Sequence, residues 1–436
     1  MCSTEAPTEQ RPPVPRQIWV LIAAALVIAL GFGLVAPVLP QYARSFDVGV
    51  AAASVIVSVF AFMRLTFAPA GGALIGRFGE RPIYLLGLLI VALSTGACAF
   101  AASYWQLLVF RGLGGIGSTM FTVSAMGLIV RLAPQQIRGR VASYYGSAFL
   151  IGNIAGPLVG SAMAGFGYRV PFLVYAVALL LAVALVWVFL SGAALRPPPG
   201  TPPLPPLTVR EALGHRTTRS LLCSFLANGW ANFGVRVALV PMFAASVPGI
   251  GAAMAGVLLT GFAVGNALAL QVAGRLVDRL GRKPLVLVGL VGSGLATVAF
   301  GWSADTVTAL VLSVLAGGGA GLVNPAQQAS AADIIGSGRN GGPVLAMFQM
   351  FGDGGAILGP ILAGWVADRV GFDWAFALTG VIILLAAVAW LPAAETMPRP
   401  GPPQSPGEGA PPGGSPPGGS VPTARPAAGD AGTVAP

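Results

Sequence analysis

Apolar runs of about twenty residues, separated by short polar clusters, fill the chain from about residue 17 to about 392. A helix that crosses the hydrocarbon layer of a bilayer needs roughly 20 apolar residues. Twelve segments meet that length: 17–40, 50–75, 83–102, 105–130, 141–166, 169–191, 220–245, 251–274, 284–302, 306–329, 343–366 and 373–392. The first is too long for a signal-peptide core and ends in Pro37 and Pro40 without a convincing cleavage site, so it reads as a retained helix. The pattern predicts an all-α membrane protein with twelve transmembrane helices.

The polar clusters repeat. "GALIGRFGERPIYLLG" (72–87) returns as "GRLVDRLGRKPLVLVG" (274–289), with Gly72/Gly274, Arg77/Arg279, Gly79/Gly281, Pro82/Pro284 and Gly87/Gly289 among the identities. "FGLVAPVLPQYARS" (32–45) aligns with "FGVRVALVPMFAAS" (233–246), and "GNIAGPLVG" (152–160) with "GAILGPILA" (355–363). Three anchors at nearly constant spacing imply two six-helix pseudo-symmetric halves. Each half holds an even number of helices, so the two run in the same sense, related by an axis along the membrane normal. Such repeats place a binding site near the midplane, between the halves. The expected organisation is a tail (1–16), a first half (17–191), a Pro-rich linker (192–219), a second half (220–395) and a C-terminal tail (396–436). The prolines of the linker make an extended spacer, after which a short interfacial helix is expected. The Pro-, Gly- and Ser-rich tail reads as disordered.

Composition narrows the class. The chain is 55% hydrophobic and 9% charged, against about 25% charged in soluble domains, so the lipid bilayer is its solvent. The net charge of +10 is scattered between apolar runs and forms no stripe, which excludes nucleic acid as a partner. Cys2, Cys98 and Cys223 fall in a tail and two apolar segments, offering neither a disulfide framework nor a metal site. The only histidine, His215, lies in the linker, and the spans hold one acid, so no nucleophile–base pair or paired carboxylates exist for an enzyme. No phosphate-binding G-x4-G-K-[ST] loop occurs. No cofactor is expected, and nothing points to more than a monomer. Basic residues concentrate in loops on the side of the N-terminus, among them Arg77, Arg81, Arg131, Arg138, Arg140, Arg275, Arg282 and Lys283. The other side has Arg44, Arg169 and Arg369. That asymmetry predicts cytoplasmic N- and C-termini in a bacterial cytoplasmic membrane.

Four motifs add a resemblance. A loop pattern G-x-L-x-D-R-x-G-R-[RK] is complete in Gly274, Leu276, Asp278, Arg279, Gly281, Arg282 and Lys283. The first copy keeps Gly72, Arg77 and Gly79 but departs at Gly76 and Glu80. The fourth span carries Leu107, Arg111, Gly115 and Gly117 of L-x3-R-x2-Q-G-x-G, with Gly114 in place of Gln. The fifth carries Gly152, Gly156, Pro157 and Gly160 of G-x3-G-P-x2-G-G, and the first carries Leu30, Gly31, Pro37, Val38 and Pro40 of L-G-x5-P-V-x-P. Over about residues 17–395 the chain resembles the major facilitator superfamily, and more narrowly its twelve-helix drug:proton antiporters. The resemblance implies the major facilitator fold and alternating access. It further implies proton-coupled export of small amphipathic molecules, with protons and such a small-molecule substrate as partners. It also implies that the loop motif closes the cytoplasmic side, with Asp278 near the start of the fifth helix around Arg138 to Arg140, whereas Gly76 offers no charge to the eleventh.

Helices 1, 4, 7 and 10 line the cavity in that family. They supply Phe32, Phe121, Asn228, Trp230, Asn232, Phe233 and Asn324 here, with Asn153, Phe348 and Gln349 from neighbouring helices. Gly152, Gly156 and Pro157 recur as Gly355, Gly359 and Pro360, so they read as hinge architecture; a mid-helix proline removes a backbone hydrogen bond.

Charges inside the spans are few: Arg64, Arg111, Arg236 and Asp353. Each costs about 2.5–3.5 kcal/mol at a helix centre and so points to function. Asp353 stands where the first half has Leu150, so packing does not demand an acid there. Two roles are open for it, a proton carrier and a static ion pair. Arg111, whose repeat counterpart is read as Leu315, matches the family arginine implicated in proton coupling; alternatively it ties the fourth helix to carbonyls of the first. Arg64 is a further coupling candidate near mid-depth. Arg236 is placed near enough to one membrane face to snorkel. With three positive charges to one negative in the spans, an organic-anion or metabolite transporter of the same fold is the alternative function, and a non-transporting receptor a remote one.

Overall fold

A computed structural model describes residues 14–132, 138–190, 207–335 and 342–396. Twelve helical passes succeed one another: α1 (Arg16–Val35), α2 (Val50–Phe78), α3 (Glu80–Ala99), α4 (Tyr104–Leu132), α5 (Arg138–Ala164), α6 (Arg169–Phe189), α7 (Arg216–Asn228, Gly229–Val235 and Arg236–Ser246), α8 (Ala255–Leu280), α9 (Arg282–Phe300), α10 (Thr306–Ile335), α11 (Gly342–Val370) and α12 (Phe372–Trp390). Eleven of them are long and apolar enough, without interruption, to span a bilayer. The remaining pass, α7, is broken at its middle by a π-helical segment, Gly229–Val235. Short helices at Leu39–Arg44 and Val209–Gly214 flank the spans, and the second opens with a reciprocal Thr208–Glu211 capping box.

The repeat is structural as well as textual. Gly79 and Gly281 turn the chain between α2 and α3 and between α8 and α9, with φ of 85° and 94° that only glycine adopts freely. We call the surface bearing these turns the motif face. Small residues bring helices close within each half. A Cβ on Gly87 would strike the Gly117 carbonyl of α4, and one on Gly289 the Gly319 carbonyl of α10. These matched approaches fix the offset of this helix pair and correct one alignment: the counterpart of Arg111 is Ser313, not Leu315. The glycines read as hinges serve the same purpose. Gly152 and Gly156 of α5 lie on the α1 backbone at Ala29 to Gly33, and Gly355 and Gly359 of α11 lie on α7 at Leu226 and Trp230. Pro157 and Pro360 sit inside α5 and α11, packed on Gly33 and Gly234.

The halves meet along two seams, α2 against α11 and α5 against α8. The outer wall is apolar, with exposed tryptophans near helix ends: Trp105 and Trp374 on one face, Trp19 and Trp187 on the other. Tryptophan prefers that interfacial depth, where its ring is half in lipid.

Candidate functional site

Three adjoining cavities of about 280, 230 and 210 Å³ lie at the centre of the bundle, the first two between the halves and the third walled mostly by the first half, and Phe32 of α1 and Phe233 of α7 line all three. The largest holds most of the charge. Arg64 Nη2 of α2 stands 4.0 Å from Asp353 Oδ1 of α11, an ion pair across the seam, and both side chains are partly open to the cavity. Gln349 Nε2, one turn earlier on α11, donates to the same carboxylate oxygen at 3.2 Å. The Thr119 hydroxyl of α4 donates to the Arg64 carbonyl at 3.0 Å, tying this part of α2 to α4. Arg111 faces the same space without joining the pair. Its guanidinium lies 4.2 Å from the Phe60 ring centroid and 5.9 Å from that of Phe32, and its buried Nε has no hydrogen-bond partner. Aromatic faces lie against it, and no hydrogen bond from it to a carbonyl of the first helix is present among the described residues.

The second cavity is lined by Arg236, which the sequence placed near enough to one membrane face to snorkel. It is instead only 7% exposed and packed 3.8 Å above the Phe262 ring centroid. Asn153, Asn228, Asn232, Asn266 and Asn324 line the same cavity. The π-helical turn immediately before Arg236 adds residues to the turn and rotates every side chain beyond it, so counting along an uninterrupted helix mis-aims this arginine. The third cavity is lined by Phe121 and Tyr175, with Asn153 shared.

Most residues expected to line the cavity do line it: Phe32, Phe121, Asn153, Asn228, Asn232, Phe233, Asn324 and Gln349. Two stand elsewhere. Trp230 is buried against α12, where Nε1 donates to the Thr379 hydroxyl at 3.3 Å. Phe348 is fully buried and stacked on Phe225 at 5.2 Å. Phe60, Phe262 and Asn266 are cavity residues that sequence reasoning missed. The repeat carried a usable signal for the first two, since Phe60 and Phe262 occupy matching positions and each supports one arginine.

The face opposite the motif turns is latched. Asp368, near the end of α11, accepts the backbone N–H groups of Val50 and Ala51 at the start of α2, each at 2.8 Å. A carboxylate there meets the positive end of the helix dipole. Below it on the same seam, the Ser58 hydroxyl donates to the Ile357 carbonyl at 2.8 Å. On the other seam, Gly256 N–H donates to Ser161 Oγ at 2.7 Å and the Thr260 hydroxyl to the Ile154 carbonyl at 3.0 Å. All the cross-half hydrogen bonds among the described residues lie between mid-depth and this face.

The motif face is built differently. Arg282 pairs with Asp333 at 3.0 Å inside the second half. Lys283 Nζ donates to the carbonyls of Leu391 and Ala393 at the end of α12, and Arg81 donates to the Trp187 carbonyl at the end of α6. Glu395 accepts the N–H groups of Arg282 and Lys283. The side chains of Asp278, Arg138 and Arg140, the pieces of the expected latch here, lie outside the described residues.

A cavity at the midplane, between repeats that run in the same sense, is the geometry of a secondary transporter. The model of the Major Facilitator Superfamily matches residues 21–251 and again 221–427. The chain belongs to the Major Facilitator Superfamily. Among curated members, Quinolone resistance protein NorA of Staphylococcus aureus is 31% identical over 157 residues, 36% of this chain and 40% of that protein. Multidrug resistance protein 2 of Bacillus subtilis is 29% identical over 176 residues, 40% of this chain and 44% of that protein. These alignments thus span less than half the length of either relative. Among solved superfamily structures, a bacterial homolog of the human lysosomal transporter Spinster, inward-facing and occupied, superposes with a TM-score of 0.73. It is 18% identical over 87% of this chain and 97% of that one. The human organic anion transporter MFSD10 gives a TM-score of 0.61, again at 18% identity, over 87% of this chain and all of that one. This superfamily member is therefore a multi-pass membrane protein with the fold of a secondary transporter.

Proposed function

We propose that the protein is a proton-coupled exporter of small amphipathic compounds in a bacterial cytoplasmic membrane. The motif face and both termini are cytoplasmic in this reading, as the distribution of basic loops requires. The observation that carries it is the Arg64–Asp353 pair. It joins one half to the other, at the cavity, where a proton and a substrate can both reach it. Ionised Asp353 attracts Arg64 and holds the α2/α11 seam shut. Protonated Asp353 loses that attraction, so proton occupancy biases which face is open. The described state is then the one closed to the outside. One entering proton supplies about 2.3 kcal/mol per 100 mV of membrane potential, enough for more than tenfold accumulation of a neutral cargo. The drug-resistance names of the curated relatives agree with a cavity of aromatic walls and amide anchors.

The test is made in proteoliposomes carrying a trapped pH dye, with cationic, neutral and anionic amphipaths added to wild type and to Asp353→Asn. Compound-driven proton movement in wild type and none in the variant is the expected result. Equal movement in both removes Asp353 from coupling, and no response to any compound removes proton coupling altogether.

A further inference from the structure

We propose that Arg236 anchors an anion, so that the second cavity takes an amphipathic monocarboxylate with its carboxylate on the guanidinium and its apolar body against Phe32 and Phe233. This inference rests on the transporter reading and names the cargo of the same cavity.

Arg236 is a buried cation left without a counter-ion. Its Nε is fully buried and has no hydrogen-bond acceptor, and no carboxylate pairs with it among the described residues. The elements packed around it contribute no acid to the cavity wall: α1 gives Phe32 and Ala36, α5 gives Asn153 and Pro157, α8 gives Phe262 and Asn266, and α10 gives Asn324. The one acid at the cavities, Asp353, stands in the neighbouring cavity against Arg64. A buried charge without a partner is strongly unfavourable, and such charges persist where a ligand completes them.

The geometry around Arg236 suits a carboxylate. The guanidinium carbon lies 3.8 Å from the Phe262 ring centroid, so that ring supports the guanidinium. A guanidinium's fork of N–H groups matches two carboxylate oxygens at once, which a lysine ammonium cannot do. Asparagines on three other helices, Asn153, Asn266 and Asn324, place neutral amide donors around the same space. Arg111 offers less, because Phe60 and Phe32 both lie against its guanidinium. A cavity of about 230 Å³ that adjoins two others has room for a small amphipathic molecule.

The experiment uses the full-length protein in nanodiscs and three probes with one fluorophore: dansylglycine, its primary amide, and dansylcadaverine, carrying negative, no and positive charge. Wild type is expected to bind the acid at least tenfold more tightly than the amide, and the cation least. Arg236→Gln should weaken the acid tenfold or more and leave the amide within twofold, so that the two converge. Arg236→Lys should keep a reduced preference. Asn266→Asp, which adds a carboxylate to the same wall, should lose the acid and retain the amide; it carries the test if Arg236→Gln fails to fold. Equal binding of acid and amide by wild type, binding of none of the three, or an intact preference in Arg236→Gln overturns the proposal. The pH-dye assay separates the two readings. Acid binding that depends on Arg236 but moves no protons keeps the anchor and ends the proton-coupled function. Proton movement driven by the amide or the cation without any acid preference does the reverse.

Discussion

The two seams between the halves are related by the internal repeat, yet they are made of different chemistry. The α2/α11 seam carries charge at two levels, Asp368 on the amides of Val50 and Ala51 at one end and the Arg64–Asp353 pair at the cavity, with the neutral Ser58–Ile357 bond between them. The α5/α8 seam joins the same two halves with two hydroxyls, a glycine amide and a carbonyl, at Ser161–Gly256 and Thr260–Ile154. A seam held by neutral groups and close backbone approach responds little to pH. A seam held by carboxylates can be opened by a proton. Under the proposed proton coupling, this asymmetry gives sensing to one seam and leaves the other as a fixed joint, a division of labour that six-helix symmetry alone does not require.

The largest expected effect breaks the charged seam at its inner end. Asp353→Asn should reduce substrate-driven proton flux to the liposome background, a loss of tenfold or more, while the cavity and its apolar contacts persist. Next comes a steric attack on the neutral seam. A methyl group at Gly256 runs into the Pro157 carbonyl and the Ser161 hydroxyl. Overpacking of this kind costs about 1–3 kcal/mol. Gly256→Ala should accordingly shift the population away from the state closed at this face by about tenfold, read as inter-half distances between spin labels, and the shift should be the same at all pH values. A smaller change is expected from Asp368→Ala. A carboxylate at an exposed helix N-terminus is worth about 0.3–1 kcal/mol, so the same distance measurement should report a two- to fivefold shift, reduced at high salt. If Asp368→Ala moves the balance more than Gly256→Ala, the neutral seam is not the fixed joint.

The smallest effect is a control outside both seams. Asp305 caps α10, accepting the Thr308 N–H at 2.9 Å, and that bond holds its carboxyl below the usual aspartate range. A depressed value means its stabilisation is complete above the ordinary aspartate pKa and is lost as pH falls through the lowered one. Asp305→Asn should leave proton flux unchanged. Any small loss of thermal stability should vanish at pH values acid enough to protonate Asp305 in wild type.

Much of this was legible in the residues. Twelve apolar runs and three repeated anchors dictate the fold, because lipid forces every backbone polar group into a helix. Arg64, Arg111 and Asp353 declared themselves as charges among apolar neighbours. The pairing of Arg64 with Asp353 did not, since 289 positions separate them and only packing brings α2 beside α11. Asp368 was invisible for a different reason. A charge beside Arg369 at a helix end is unremarkable until the N-terminus of α2 is seen to arrive there. Arg236 was mis-aimed because a π-helical turn has no clear signature in hydropathy, and one such turn redirects everything after it. Trp230 and Phe348 show the same limit from the other side: helix membership was read correctly, but the facing direction was not.

Phe32 and Phe233 separate the three cavities, and Phe233 is 62% exposed to them. A partition made of side chains is not a wall, since an exposed aromatic ring changes rotamer within picoseconds to nanoseconds. Turning those two rings merges compartments of about 210–280 Å³ without moving the backbone. On the proposed function, the merged space offers room for two dissimilar cargoes side by side, one at Arg236 and one near Arg64, the first setting the room left for the second. Under the proposed export function, such sharing would read kinetically as mixed inhibition, with a compound that slows the passage of one molecule leaving another untouched.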